Sequence, residues 1–335
     1  MKHILLLTTG GTIASTNSTE GLLPTIDGAA LSRLTENVSK NYHVTTKDIL
    51  HLDSSNMQPE EWLYIARCIF EELHTFDYDG VLITHGTDTM AYTASALSFL
   101  LPGVPVPVVL TGSQLPVEHP LTDAMENLRT SFAMAASGTA GVFVAFNRRI
   151  ILGTRAVKVR TTGFDAFESV NFPYIATVGG NGLRLDASVL PAKSPAPFLL
   201  HERLCSGVFL LKLTPGLNPD VFDMLLAMGY RGIVIEAFGA GGIQFLRRNL
   251  IAKLQKAAES GVAVVVLSQC LYESSDFTLY QTGKKALEKG VIQGYDMTTE
   301  AAVTKLMWAL GQTGDLKEVR RMFARDYAGE ISPLP

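Results

Sequence analysis

Cysteine is scarce in this 335-residue chain: Cys68, Cys205 and Cys270 stand far apart. An odd, sparse set without a CxxC pair excludes a disulfide framework and a cysteine-based metal site, and fits reduced thiols in a cytosol. All three read as small buried hydrophobes. Basic surplus is also missing. The net charge of −4 offers no electrostatic footprint for nucleic acid or an anionic membrane. Charged residues make up only 18 % of the chain and aromatics 8 %. Uninterrupted apolar spans are absent too. The longest apolar stretch, 92–110, is broken by Pro102, Pro105 and Pro107, so it cannot provide the ~20 residues of a membrane helix. Ile4–Leu7 after Met1-Lys2-His3 is shorter than the ~7–15-residue core of a signal peptide, and reads as a buried first strand of a cytoplasmic protein.

Apolar material is plentiful, at 47 % of residues. It recurs in short runs at 4–9, 80–85, 106–111, 141–146, 207–213, 232–238 and 262–268. Continuous rather than alternating runs indicate strands buried on both faces, as in a parallel sheet. Helix-period segments lie between them, at 59–76, 121–137, 217–228, 247–260, 299–313 and 315–325. The first opens with Pro59 and two glutamates. Strands alternating with helices predict two α/β domains, a larger N-terminal one on an open, mostly parallel sheet and a smaller C-terminal one on a flavodoxin- or Rossmann-like parallel sheet. The length favours two domains. The proline-rich stretch 185–202 marks the boundary: an N-terminal domain over 1–190, a linker over 191–204 and a smaller domain over 205–335.

Ligands of open α/β sheets bind beyond the carboxyl ends of the strands, and there the polar residues collect. Thr9-Gly10-Gly11-Thr12 follows the first strand, and Asp53-Ser54-Ser55-Asn56 follows a strand near 50. His85-Gly86-Thr87-Asp88-Thr89 and Gly112-Ser113-Gln114 follow the next two. Further on come Arg155, Lys158, Arg160 and Asp165. Four strand ends with hydroxyls, together with Asp88 at one of them to hold an amine, describe a pocket for a small molecule bearing a carboxylate and an amine. A threonine hydroxyl becomes a nucleophile only when a base takes its proton, and a desolvated Lys158 would be such a base. Several of these residues have a second reading. Thr12 could be a helix cap, Ser54 and Ser55 caps for the helix at 59, and Lys158 a solvated edge residue, whereas His85 reads as a hydrogen-bonded structural residue. The crowding at 86–89 is the hardest to explain structurally, because a cap needs only one polar residue.

The motifs TTGGTIAS (8–15), HGTDTMAYTASALSF (85–99), TGSQLP (111–116), GFDAFES (163–169) and MTTEAAVTKLMWALGQ (297–312) resemble the bacterial and archaeal L-asparaginases, the cytoplasmic type I group in particular. The resemblance implies hydrolysis of L-asparagine to L-aspartate and ammonia without a cofactor or metal. It implies that Thr12 is the nucleophile that forms a β-aspartyl enzyme. Thr87 and Lys158 would activate water or relay protons, Asp88 and Thr87 would bind substrate, and Ser54 with Ser55 would hold the α-carboxylate. It also implies a homodimer or homotetramer whose sites a neighbouring subunit completes, and in some members an effector site, for which LSQCLYE around Cys270 is a candidate. One position departs from the pattern: where many members carry a lid tyrosine, this chain has Leu22. The loop 16–25 still suits a flexible lid. Competing readings are a glutaminase-asparaginase of relaxed specificity, the amidase component of a tRNA-dependent amidotransferase, which has an extra N-terminal domain, and a non-catalytic asparagine sensor.

Overall fold

A computed structural model describes residues 1–18, 21–24, 33, 36–191, 197–277 and 281–332, without side-chain detail for 14–18, 21–24 and 281–282. The chain divides into two compact units, Met1–Glu202 and Arg203–Pro335.

The first unit is built on an eight-stranded sheet. In chain order its elements are β1 (His3–Gly10), a hairpin of β2 (Ser15–Ser18) and β3 (Gly21–Pro24), the short helix α1 (Glu36–Ser39) and β4 (His43–Leu52). There follow α2 (Pro59–Thr75), β5 (Gly80–Thr84), α3 (Met90–Leu100), β6 (Pro107–Thr111), α4 (Ala124–Ala135), β7 (Gly141–Phe146) and β8 (Arg149–Leu152). A separate two-stranded pair, β9 (Ala156–Lys158) and β10 (Phe167–Ser169), and the strands β11 (Ala176–Gly179) and β12 (Gly182–Leu185), the latter at the edge of the sheet, complete the unit. The sheet runs β12-β11-β8-β7-β6-β5-β1-β4. From β4 to β7 neighbours are parallel; the β7–β8, β8–β11 and β11–β12 pairs are antiparallel. β5 and β6 are buried at every residue, which is why they read as continuous apolar runs. The chain turns from β7 to β8 through Asn147 and Arg148, both at positive φ (47° and 61°), the geometry of a two-residue hairpin that matches strand twist.

α2 begins as the sequence indicates, with Pro59 in its first turn. Its cap is Gln58, in a reciprocal box with Glu61, and not Ser54 or Ser55. Those serines form a single 3-10 turn instead, capped by the Asp53 carboxylate. α3 is buried on nearly all sides, so it lacks the one-sided period that announces a surface helix. Residues 16–25, expected from sequence to be a loop, contain the β2–β3 hairpin, in which Asn17 pairs with Leu22; residues 19, 20 and 25 lie outside the described set.

The second unit contains β13 (Val208–Lys212), α5 (Val221–Ala227), β14 (Gly232–Ala237), α6 (Leu250–Glu259), β15 (Ala263–Ser268), α7 (Gln281–Glu288), β16 (Ile292–Gln293), α8 (Thr299–Gln312) and α9 (Leu316–Phe323). Its four strands are parallel in chain order. Phe222, Ile233, Ile235, Leu254, Val264, Val266 and Phe277 build one core there. Among the described residues no helix is long and apolar enough to cross a membrane. The cysteines depart from expectation. They are free thiols, but Cys68 and Cys205 are only half-buried and Cys270 is exposed. Each sits at a helix flank or in a loop, where a small side chain is not drawn into a core.

Candidate functional site

From β1 the chain passes to β4 on one side, then crosses to β5 on the other. This reversal opens a crevice between the carboxyl ends of β1 and β5, where ligands of such sheets bind. The crevice is framed by backbone packed against backbone. Gly11 follows β1 at φ +82°, and a Cβ there would lie 2.5 Å from the Gly86 nitrogen. A Cβ on Gly86 would lie 2.5 Å from Ser54 Oγ. Only glycine meets both demands. The close approach draws Thr12, Ser54 and Thr87 to one end of the sheet, each at or next to such a contact. The Gly11 N–H donates to Leu52 O (3.1 Å), and Val117 N–H donates to Ile13 O (3.3 Å), which ties down the turn carrying Thr12.

Lys158, the last residue of β9, reaches into this cluster. Its Nζ donates to Thr87 Oγ1 (2.8 Å) and to Asp88 Oδ1 (2.6 Å). The Lys158 side chain is 17 % exposed and that of Asp88 64 %. The lysine is thus largely removed from water while the carboxylate beside it faces outward, open to a second cation. Lys158 is no solvated edge residue. Thr87 and Ser54 are buried, Thr12 is half-buried and Ser55 is exposed. Thr89 Oγ1 donates to Ser54 O (2.7 Å), joining the β4 and β5 loops. Thr87, Asp88 and Lys158 therefore touch, and Ser54 and Thr12 stand at the same strand ends. Arg155 is instead fully buried against the ring of Phe172, and Arg160 pairs with Asp165.

His85 is a structural residue. It is fully buried, its Nδ1 lies 2.7 Å from Gly86 O and its Nε2 2.9 Å from Thr93 Oγ1. The carbonyl can only accept, so Nδ1 carries the proton and the Thr93 hydroxyl donates to Nε2. Thr93 in turn accepts from Trp62 Nε1 (3.0 Å). Burial pushes the imidazole pKa down to about 4, although the bond to Gly86 O opposes this, and the ring stays neutral.

Two residues at the site take a role that the sequence does not assign them. Gln114 Oε1 accepts from Thr87 Oγ1 (3.4 Å), and its Nε2 donates to the carbonyls of Thr161 and Gly163 (3.1 Å each). Asp123 accepts from the N–H groups of Gln114 and Leu115 and from Asn127 Nδ2. The strand-end position of Gly112-Ser113-Gln114 was the available signal; Asp123, nine residues from Gln114 along the chain, carried none. In the second unit, Cys270 follows β15, and the neighbouring Gln269 side chain donates to the carbonyls of Leu213 and Glu236. Among the described residues no group of three metal-binding side chains occurs.

Comparison with known proteins bears on this crevice. Residues 3–190 match the family described as asparaginase, N-terminal, and residues 207–323 the glutaminase/asparaginase C-terminal domain. The chain is 45 % identical to the L-asparaginase of Thermococcus kodakarensis, over 98 % of this chain and 99 % of that one. The solved structure of the thermostable L-asparaginase from the same organism superposes with a TM-score of 0.93 at 44 % identity, covering 99 % of this chain and all of that one. A glutamyl-tRNA(Gln) amidotransferase component of Pyrococcus abyssi is 37 % identical, over 99 % of this chain and 77 % of that one. With both domain families matched in order along nearly its whole length, the chain belongs to the asparaginase family.

Proposed function

We propose that the protein hydrolyses L-asparagine to L-aspartate and ammonia through an acyl-enzyme on Thr12. The observation that carries this reading is the Lys158–Thr87–Asp88 contact at the crevice that also holds Thr12 and Ser54. Asp88 receives the substrate ammonium, and Ser54 with Ser55 receives the α-carboxylate. The Thr12 hydroxyl attacks the side-chain amide carbon. Its proton passes to the leaving nitrogen, the carbon–nitrogen bond breaks and ammonia departs, leaving a β-aspartyl ester. Water, deprotonated through Thr87 and Lys158, then attacks the ester and restores the threonine. Backbone N–H groups near Thr12 and Thr87 stabilise the oxyanion, a contribution of about 3–4 kcal/mol in related chemistries. The Gly11 N–H is not one of them, since Leu52 O occupies it.

The shared carboxylate explains how a lysine acts as a base. A substrate ammonium arriving at Asp88 competes with Lys158 for that oxygen and adds a like charge nearby. Both effects weaken the hold of Asp88 on the lysine. A sensor would gain nothing from this arrangement. The higher identity to an L-asparaginase (45 %) than to the amidotransferase component (37 %) supports free asparagine as substrate. Glutamine is the closest competitor, since one methylene is worth only ~1–3 kcal/mol of discrimination. By its family the protein is proposed to act in the cytoplasm as a homodimer or homotetramer, with no cofactor.

The test is ammonia release from L-asparagine and L-glutamine by the wild type, Thr12→Ala and Thr87→Ala. The expected result is release from asparagine, with kcat lowered roughly 10³-fold or more in each variant. A wild type that binds asparagine but releases no ammonia would overturn the reading in favour of a sensor. Leu22→Tyr then shows whether the residue at the usual lid-tyrosine position is what silences it.

A further inference from the structure

Gln114 stands one hydrogen bond from Thr87 and two from Lys158. The direction of its amide is not arbitrary. Nε2 donates to Thr161 O and Gly163 O, and a flipped amide would set Oε1 against two carbonyl oxygens. Oε1 therefore faces Thr87 and can only accept. Thr87 has one hydroxyl hydrogen. Directed at Gln114, it leaves the lone pairs of Oγ1 to receive Nζ–H of Lys158. The three side chains then form a one-way row of donors: Lys158 to Thr87, Thr87 to Gln114.

The segment that carries Gln114 is itself held. Both carboxylate oxygens of Asp123 accept from the Gln114 N–H at 3.0 Å, and Oδ1 accepts from Leu115 N–H at 3.1 Å. Asn127 Nδ2 donates to Asp123 Oδ2 and to Gly112 O, at 3.0 Å each. Three residues beyond Gln114, the Val117 N–H holds Ile13, the neighbour of Thr12. One braced segment after β6 thus reaches both threonines.

We propose that Gln114 is a positioning residue for the amide hydrolysis: it sets the resting direction of the Thr87 hydroxyl toward itself and so presents Thr87 to Lys158 as an acceptor. The inference rests on the function proposed for this site. At 3.4 Å the Thr87–Gln114 bond is near the long limit, so the hydroxyl turns to Lys158 once the lysine has lost its proton. Asp123 keeps Gln114 in place from behind and touches no reacting atom.

The experiment compares wild type, Gln114→Met and Gln114→Glu as full-length proteins, by ammonia release from L-asparagine across pH and by thermal melting. Both variants lose the donors to Thr161 and Gly163; only the glutamate adds a charge one hydroxyl away from Lys158. Gln114→Met is expected to lower kcat about 10-fold while KM stays within about threefold. Gln114→Glu is expected to move the acid limb of kcat upward by about one pH unit, because it places a negative charge one hydroxyl away from the proposed base of the substrate complex. A role confined to tethering the 161–163 segment would lower kcat equally in both variants, although only Gln114→Glu keeps an acceptor for Thr87, and an unmoved limb would show that position 114 does not lie one hydroxyl from Lys158; either result overturns the assignment. Should Gln114→Met not fold, the limb of Gln114→Glu decides alone. If the wild type releases no ammonia, the function and this assignment fall together; an active wild type with an unmoved Gln114→Glu limb removes only the assignment.

Discussion

Gly11 is where backbone geometry and the proposed catalysis meet most sharply, and Gly11→Ala tests that. Two costs add. At φ +82° an alanine enters the left-handed region, at about 1–2 kcal/mol. Its Cβ would then sit 2.5 Å from the Gly86 nitrogen and 2.6 Å from its Cα, where ordinary contact begins near 3.4 Å. Backbone cannot rotate out of the way like a side chain, so the ends of β1 and β5 must part by about 0.9 Å. Forcing such a shift in a packed region costs about 1–3 kcal/mol more. Gly138→Ala is the matched control. Gly138 has φ +77°, and nothing lies within 4 Å of the Cβ it would gain, so it bears the conformational cost alone. Urea denaturation of the two variants should therefore separate them by about 1–3 kcal/mol. Activity should separate them further. Parting β1 from β5 moves Thr12 relative to Thr87, and a misplacement of this size costs on the order of 10²-fold in rate. Gly138→Ala should keep near-wild-type ammonia release. If Gly11→Ala is no less stable than Gly138→Ala and remains as active, the close-approach argument for the site is wrong.

Two further outcomes follow from buried charge. His85 has a folded pKa of about 4 against 6.5 in the unfolded chain, so between those values the unfolded state binds more protons. Stability therefore falls as pH drops from about 6.5 to about 4, by up to about 3 kcal/mol from this residue; melting temperatures of wild type and His85→Gln over that range should show a flatter acid slope for the variant. In the second unit the Lys305–Glu330 pair is fully buried at 2.6 Å. Glu330→Ala removes the carboxylate partner of Lys305 and the acceptor of the Tyr327 and Ala328 N–H groups, and should cost about 3–5 kcal/mol by denaturant unfolding, while adding Lys305→Met should recover only the part due to the ammonium.

How the elements became legible follows from their burial. β1, β5, β6, β7, β14 and β15 are sandwiched strands, and burial on both faces writes itself as an apolar run. α2 shows one buried stripe and a proline at its start, and both signals are local. α3 shows neither, because contacts on all sides remove the period. The β7–β8 hairpin turns on Asn147 and Arg148, and an arginine at positive φ gives no turn signal in sequence. The β2 strand is wholly polar, so the β2–β3 hairpin resembles a loop in sequence.

For the site, the sequence by itself determined the chemistry available and the strand ends that bear it: a threonine after β1, a serine pair after β4, Thr87-Asp88 after β5 and a lysine on β9. These residues lie in short motifs whose composition exceeds what turns and caps require. Only the tertiary structure decided which of them meet. The contact between Lys158 and Thr87 spans seventy-one residues, and the Gln114 amide finds its partners on main-chain carbonyls, which every residue possesses. A hydrogen bond to a backbone carbonyl leaves no mark on the sequence of its acceptor, and a strand order that reverses beside β1 is a property of packing and of no single segment.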